Sequence, residues 1–200
     1  MEIINCQQNT PEWYEARRGW TTCSELSTVM AKGEGKTRSK YMRQLAAELI
    51  LERSASTFVG NVYTEMGKDL EADNRDLLAT HLDCEITETG IFRDHYLGLS
   101  CSPDGLIGDD EMVELKSCIP TVQIERLEKG TLPSEYVAQV QGSLLVTKRK
   151  ACWFQSFCPG LPRLVLRIEP DLAMHEKIAA EVSAFNKEKH ALVEKIQRMQ

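Results

Sequence analysis

The sequence predicts a single domain of the α/β (α+β) class, in which helices flank a central mixed β-sheet. Two hundred residues, 42% hydrophobic and 27% charged, are typical of one globular core. Helical spacing of apolar residues dominates the chain up to residue 82, whereas Ile, Leu, Val and Thr are concentrated in short segments from residue 85 onward. Neither a repeat nor a Pro/Ser-rich linker marks a boundary, so we expect residues 1–200 to form one unit.

Four helices are predicted in the first part of the chain: 11–19, a short helix from Thr22 or Ser24, 39–53 and 64–82. The first has Thr10 as its N-cap, Pro11 at its first position and Gly19 just past its end. The second begins with a capping-box spacing, because Glu25 stands three residues after Thr22. We expect the two longer helices to pack on one core.

Five strands and two further helices are predicted after residue 84. The strands are 85–93, 96–101, 111–118, 151–157 and 163–168, and the helices are 134–146, with Ser134 as N-cap, and 170–200. The first three strands read as an antiparallel meander, because turn residues occur at 102–105 and 108–110. The last helix has an apolar stripe for the core or a neighbouring subunit: Ile178, Val182, Phe185, Leu192 and Ile196.

Composition and charge exclude several classes of protein. No run approaches the roughly 20 apolar residues of a membrane span, and residues 1–8 do not resemble a signal peptide, so we expect a soluble, cytoplasmic protein. Seven cysteines without a C-x-x-C pair and four dispersed histidines indicate reduced thiols and no His-based metal site. The net charge of −6 does not exclude DNA, because residues 32–43 contain five basic residues and one acid.

The motif with the clearest chemistry lies in the meander, where Asp104 in SPDG precedes ELK, which contains Glu114 and Lys116. Side chains alternate along a strand, so Glu114 and Lys116 share one face, and a hairpin brings Asp104 beside Glu114. Two carboxylates, water and a main-chain carbonyl suit Mg²⁺ or Mn²⁺, and such an ion beside a Lys activates water for attack on a phosphodiester. The alternative is an ordinary surface strand, since E-x-K alone is common.

The arrangement resembles the PD-(D/E)XK nuclease superfamily, and more closely the phage λ exonuclease or YqaJ type of viral recombinase nuclease. Five stretches match in the family's order over residues 13–141. They are W-x-x-x-R-x-G with T-x-S-E (Trp13 to Glu25), G-K-x-x-E (Gly67 to Glu71), CSPDG (101–105), ELK (114–116) and Y-x-A-Q-V-Q (136–141). The resemblance implies a restriction-endonuclease-like fold and a 5′→3′ exonuclease that degrades one strand of linear double-stranded DNA.

The resemblance also implies roles for the matching residues. The implied ligands of Mg²⁺, with two ions per site and Mn²⁺ as a substitute, are Asp104, Glu114, the Leu115 carbonyl and, through water or a second ion, Glu71. Lys116 orients the attacking water and opposes charge on the phosphate. Gln139 belongs to the same active site. From the residues alone, the alternative for Glu71 and Gln139 is a solvated position on a helix surface.

A second set of residues is assigned to DNA. The family's 5′-phosphate pocket matches Arg17, Ser24 and Ser102, which carry suitable phosphate ligands, although an exposed helix position is the alternative for Arg17. Simple alignment places Glu34 where the family has an arginine that grips the DNA, and the candidates to replace that arginine are Lys32, Lys36 and Arg38. The family's apolar wedge, which splits the duplex, falls near Thr64, with Tyr63 or Met66 as replacements.

The resemblance further implies a ring-shaped homotrimer that acts with a single-strand annealing protein, in a bacterial cell that carries a phage or prophage. Its product would be 3′ single strands for recombination. A structure-specific or restriction-like endonuclease is one alternative, and a catalytically silent DNA-binding or assembly module is another. An iron–sulfur nuclease is disfavoured because the cysteines are not clustered.

Overall fold

The computed structural model describes residues 1–31, 36–54 and 62–199, with side chains from residue 70 onward in the last range. The helices are α1 (Pro11–Arg17), α2 (Leu26–Val29), α3 (Lys36–Leu51), α4 (Val62–Leu82), α5 (Pro120–Lys129), α6 (Ser134–Thr147) and α7 (Leu172–Gln197). The strands are β1 (Glu2–Ile4), β2 (Thr21–Thr22), β3 (Ile91–Asp94), β4 (Leu99–Cys101), β5 (Gly105–Ile107), β6 (Glu111–Ser117), β7 (Ala151–Phe157) and β8 (Leu164–Ile168). The predicted mixture of helices and strands is confirmed, and no helix in the described ranges is long and apolar enough to cross a membrane.

The strands form two four-stranded mixed sheets, whereas the sequence predicts one central sheet. Their orders are β1-β3-β4-β2 and β5-β6-β7-β8, with β2–β4 and β6–β7 parallel. The chain passes from the first sheet to the second at Pro103, which has no N–H to donate. The next N–H, that of Asp104, bonds to the Val113 carbonyl of β6 at 3.0 Å. The predicted meander is therefore divided, with β3–β4 in one sheet and β5–β6 in the other.

The first helices follow the sequence closely, with one exception. Thr10 caps α1, because its side-chain oxygen accepts a hydrogen bond from the Trp13 N–H at 3.4 Å. Gly19 follows at a φ of +71°, a backbone conformation that glycine adopts most readily. The predicted capping box at Thr22 does not form: a 3₁₀ turn, Cys23–Glu25, precedes α2, and the Thr22 hydroxyl lies 3.1 Å from that of Ser24.

Later segments correct the sequence prediction in three places. The strand predicted over 85–93 begins only at Ile91, and Thr87 makes an isolated bridge to Leu106. The N-cap position of α6 is Pro133 rather than Ser134. The helix α5 was not predicted because the residues that it buries, Gln123 and Arg126, are polar and give no apolar periodicity.

Helix α6 connects the cores of the two sheets. Its Ala138 and Val146 pack with α7 and the first sheet, while Val140 and Leu144 pack against the second. The α7 stripe covers this core through Ile178, Val182 and Phe185, which are fully buried, with Leu192 partly buried beside them and Ile196 exposed. A Cβ at Gly142 would lie 2.1 Å from Leu26 Cδ1, so a glycine is needed where α6 meets α2.

Candidate active site

The β5–β6 hairpin brings Asp104 and Glu114 together. Gly105 pairs with Val113 in this antiparallel hairpin, so Asp104 stands opposite Glu114 one step further along. Asp104 Oδ2 accepts a hydrogen bond from the Leu115 N–H at 2.6 Å. This bond aims the Asp104 carboxylate at the strand that carries the second acid.

Glu114 lies on the face of β6 that α6 covers. Only 2% of Glu114 is exposed, and its Oε1 accepts hydrogen bonds from Lys116 Nζ and from Gln139 Nε2 of α6. Val113 and Leu115 point the other way and pack against α4. The alternation of side chains along β6 therefore places Glu114 and Lys116 on one face and the apolar residues on the other.

Burial dominates the electrostatics of the three groups. It raises the pKa of Glu114 to about 7, against the opposing charge of Lys116, and the Asp104 carboxylate raises that pKa further. Burial also raises the pKa of Asp104, while Lys116 and the Leu115 N–H oppose that shift. Although burial lowers the pKa of Lys116, Glu114 and Asp104 outweigh it and raise that pKa above its ordinary value, so the ammonium stays charged.

Glu71 reaches the same site from α4. Its side chain is 33% exposed, and its Oε1 lies 3.0 Å from Arg75 Nη2 one helical turn later. Burial raises the pKa of Glu71, the Asp104 charge adds to the shift, and Arg75 opposes it. Glu71 is therefore close enough to Asp104 for the two charges to interact.

The donor set fits a magnesium ion. Glu114 receives both of its hydrogen bonds at Oε1 and Asp104 receives one at Oδ2, so among the described residues nothing donates to Glu114 Oε2 or Asp104 Oδ1. The pKa values of these two adjacent buried carboxylates are raised, and a divalent cation would stabilise their charged forms. The described residues contain no group of three or more His, Cys, Asp or Glu side chains placed to hold a metal ion.

Basic and hydroxyl side chains line the same cleft as these carboxylates. Arg17 Cζ lies 4.0 Å from the centroid of the Trp13 ring, and Arg17 Nη2 donates to Ser24 Oγ at 3.4 Å. Trp13 Nε1 donates to Ser102 Oγ at 3.0 Å, which links α1 to the segment before Asp104. Burial lowers the pKa of Arg17, and no described carboxylate pairs with it, so its guanidinium is available to an anion.

One cleft of about 330 Å³ contains most of the predicted residues. Those in its lining are Arg17, Ser24, Glu71, Ser102, Asp104, Glu114, Leu115, Lys116 and Gln139. Two predicted DNA contacts lie elsewhere: Arg38 makes a two-pronged ion pair with Glu188 at 2.8 and 2.9 Å, and Lys36 is exposed at the start of α3. A third, Lys32, falls outside the described residues. Glu34 and the side chains of Tyr63, Thr64 and Met66 also fall outside them.

Sequence reasoning assigned no role to four residues that organise the site. Trp13 and Thr22 line the cleft, and Tyr136 places its ring centroid 5.4 Å from Lys116 Nζ. Arg75 bonds to Glu71 and to the Asp104 main chain. The only local signal for Arg75 was its position four residues after Glu71, a spacing that favours ion pairs on helices.

Comparisons with known proteins show the family and the fold of this chain. The family profile of the YqaJ-like viral recombinase domain matches residues 12–150, well over half of the chain. The chain belongs to this family. Two crystal structures of LHK-Exo, an alkaline exonuclease from Laribacter hongkongensis, one of them in complex with dAMP, are similar to it at 32% identity and a TM-score of 0.88, over 95% of this chain and 97% of theirs.

A more distant structure shares the fold. A phage-related exonuclease from Haemophilus somnus 129PT is 16% identical, with a TM-score of 0.67, over 88% of this chain and 96% of its own. No curated protein matches the sequence. Membership of the YqaJ-like family, together with the likeness to LHK-Exo, supports a nuclease role for this chain.

Proposed function

We propose that this YqaJ-like protein is a Mg²⁺-dependent deoxyribonuclease that digests one strand of linear double-stranded DNA from its 5′ end. The observation that carries the proposal is the shared cleft, which the carboxylates of Asp104 and Glu114, the ammonium of Lys116 and the guanidinium of Arg17 all line. A cation-binding side and an anion-binding side in one cleft fit a phosphodiester next to a terminal phosphate.

The ion would be held by Asp104, Glu114 and the Leu115 carbonyl, with Glu71 acting through water or a second ion. When bound, it supplies a Lewis acid for the phosphate and lowers the pKa of the attacking water. Glu114 is kept in place by Gln139 from α6 and by Lys116 from its own strand. Lys116 remains charged and opposes the negative charge that develops on the phosphate.

The hydrolysis leaves a product that this cleft can use again. The attacking water loses a proton to solvent as its oxygen bonds to phosphorus, the P–O3′ bond breaks, and the 3′ oxygen of the released mononucleotide takes up a proton from solvent. The next nucleotide then carries a 5′-phosphate, the group for which the Arg17 side of the cleft is suited. Each turnover thus regenerates the end that starts the next one.

The wider proposal concerns assembly and partners. A chain of 22.6 kDa is too small to encircle a duplex, so repeated digestion without release favours a closed ring, for which we propose three copies. The 3′ single strands left behind suit a single-strand annealing protein. The protein would then act in phage or prophage recombination.

Digestion of a linear duplex labelled at one 5′ or one 3′ end, with Mg²⁺ or with EDTA, tests the proposal. We expect early release of the 5′ label as mononucleotide with Mg²⁺, no release with EDTA, and no cleavage of closed circles. The Asp104→Asn protein, purified in the same way, controls for contaminating nucleases. Early release of the 3′ label would overturn the polarity, cleavage of circles would favour an endonuclease, and DNA binding without cleavage would favour a silent module.

A further inference from the structure

The guanidinium of Arg75 connects three segments of the chain, two of which carry the acids Glu71 and Asp104. Arg75 Nη2 lies 3.0 Å from Glu71 Oε1 on α4, and Nε donates to the Asp104 carbonyl at 3.2 Å. The third nitrogen, Nη1, lies 2.5 Å from Glu88 Oε1 in the segment before β3. The Arg75 side chain is only 13% exposed. All three nitrogens are therefore engaged in a mostly buried position.

The segments that Arg75 joins are themselves held together. Thr87 and Leu106 exchange main-chain hydrogen bonds of 2.9 and 2.8 Å, which ties the Glu88 segment to β5. Gln8 Nε2 donates to the Pro103 carbonyl at 2.9 Å and to the Thr89 carbonyl at 3.3 Å. Arg75 thus lies among segments that further hydrogen bonds hold together, and its planar fork meets an acceptor in each of three directions.

Arg75 is placed to act on the acids without touching what enters the cleft. Glu71 and Asp104 line the active-site cleft, but Arg75 does not; it lines a second surface cleft of about 200 Å³, which Glu71 and Asp104 also line. A guanidinium there restrains the direction of the Glu71 carboxylate and the position of the Asp104 main chain. An ammonium at the same place keeps the charge but cannot reach three acceptors in different directions.

We propose that Arg75 is a positioning residue for divalent-cation binding, which holds Glu71 and Asp104 in the relative placement that the ion requires. The inference rests on the proposed function, because the cation site belongs to it. Groups that orient metal-binding side chains typically change metal affinity by about 10- to 100-fold when they are removed. A guanidinium that served only as a counter-charge would have the opposite effect, since its loss would strengthen cation binding.

Isothermal titration calorimetry with Mn²⁺ and with Mg²⁺, on full-length protein without DNA, tests this proposal. We expect Arg75→Ala to weaken binding about tenfold or more, and Arg75→Lys to weaken it also, because the lysine keeps the charge but not the fork. If Arg75→Ala does not fold, Arg75→Lys carries the test. Binding as tight as in the wild type, or tighter, in the folded variants would overturn the positioning role.

Arg149→Gln is the matched control. Arg149 donates to the carbonyls of Gly108 and Glu111 at 2.8 and 2.7 Å, at the far end of the same β5–β6 hairpin. We expect this variant to lose thermal stability without a change in cation affinity, whereas an equal loss of affinity would show that Arg75 acts only through stability. A wild-type protein that binds neither cation would overturn the proposed function together with this inference, whereas failure confined to the Arg75 variants would overturn the inference alone.

Discussion

Replacement of Arg17 by alanine tests the 5′-phosphate pocket directly. The guanidinium is stacked on Trp13 at 4.0 Å, is bonded to Ser24 and has no carboxylate partner among the described residues. Its positive charge can therefore pair with the extra negative charge that a terminal phosphate carries. A charge-assisted hydrogen bond contributes about 1.5–3 kcal/mol, or roughly a ten- to hundredfold effect on rate.

The assay compares initial digestion rates of two linear duplexes that differ only in a 5′-phosphate or a 5′-hydroxyl. We expect Arg17→Ala to slow digestion of the phosphorylated end by roughly ten- to hundredfold and to change the hydroxyl end far less. The rate ratio between the two ends should therefore shrink. A contact to the general DNA backbone would instead slow both substrates equally and reduce their dependence on salt.

Arg18→Ala is the control, because Arg18 is the next residue, carries the same charge and pairs with Glu15 at 2.7 Å rather than lining the active-site cleft. This variant should keep the wild-type ratio. Arg17→Lys keeps the charge but loses the planar fork, so we expect an intermediate ratio. If Arg17→Ala retains the full preference for the phosphorylated end, the pocket lies elsewhere and the assignment of Arg17 is wrong.

Four further outcomes are expected. Asp104→Asn should abolish cleavage without lowering the melting temperature, because it removes one of two adjacent buried carboxylates; residual Mg²⁺-dependent cleavage would contradict the metal site. Lys116→Ala should slow cleavage by roughly 10²–10³-fold, with Mg²⁺ still bound by calorimetry, and an unchanged rate would remove Lys116 from the mechanism. Burial lowers the pKa of Lys189 from 10.5 to about 8. Between these two pH values the unfolded chain binds more protons than the folded chain, so the free energy of unfolding rises with pH by about 3 kcal/mol. Urea unfolding of Lys189→Met should lack this rise, and an identical rise would show that another group causes it. Light scattering should give about 68 kDa, three times 22.6 kDa, and a monomer that is still processive would refute the ring.

The sequence predicted which face of β6 carries Glu114 and Lys116, because side-chain direction along a strand depends only on the strand itself. Alternation along a strand places Glu114 and Lys116 on one side and Val113 on the other, whatever surrounds the strand. The ten-residue spacing to Asp104 only required a hairpin, and the turn residues for one are present. Amphipathic spacing likewise predicted α7, whose apolar stripe needs only a core to cover.

The sequence did not predict ion-pair and hydrogen-bond partners that lie far apart along the chain. Arg38 lies in a basic stretch suited to DNA, yet the fold brings Glu188, 150 residues away in sequence, within 2.8 Å of it. The helix α5 buries Gln123 and Arg126, whose acceptors include the hydroxyl and the carbonyl of Ser156 on β7. Polar side chains give no periodic signal when their partners come from another element.

The sequence by itself determined which residues share a helix or strand face, and its resemblance to a nuclease family singled out the acids and the lysine of the candidate active site. Only the tertiary structure decided that the strands divide at Pro103 into two sheets, that Arg17 lines the same cleft as those acids, and that Arg75 bonds to three segments of the chain. The physical reason is the distance along the chain over which each property is set. Side-chain direction follows from backbone geometry over a few residues, whereas the partner of a hydrogen-bonding group is whichever distant donor or acceptor the packed core brings within about 3 Å.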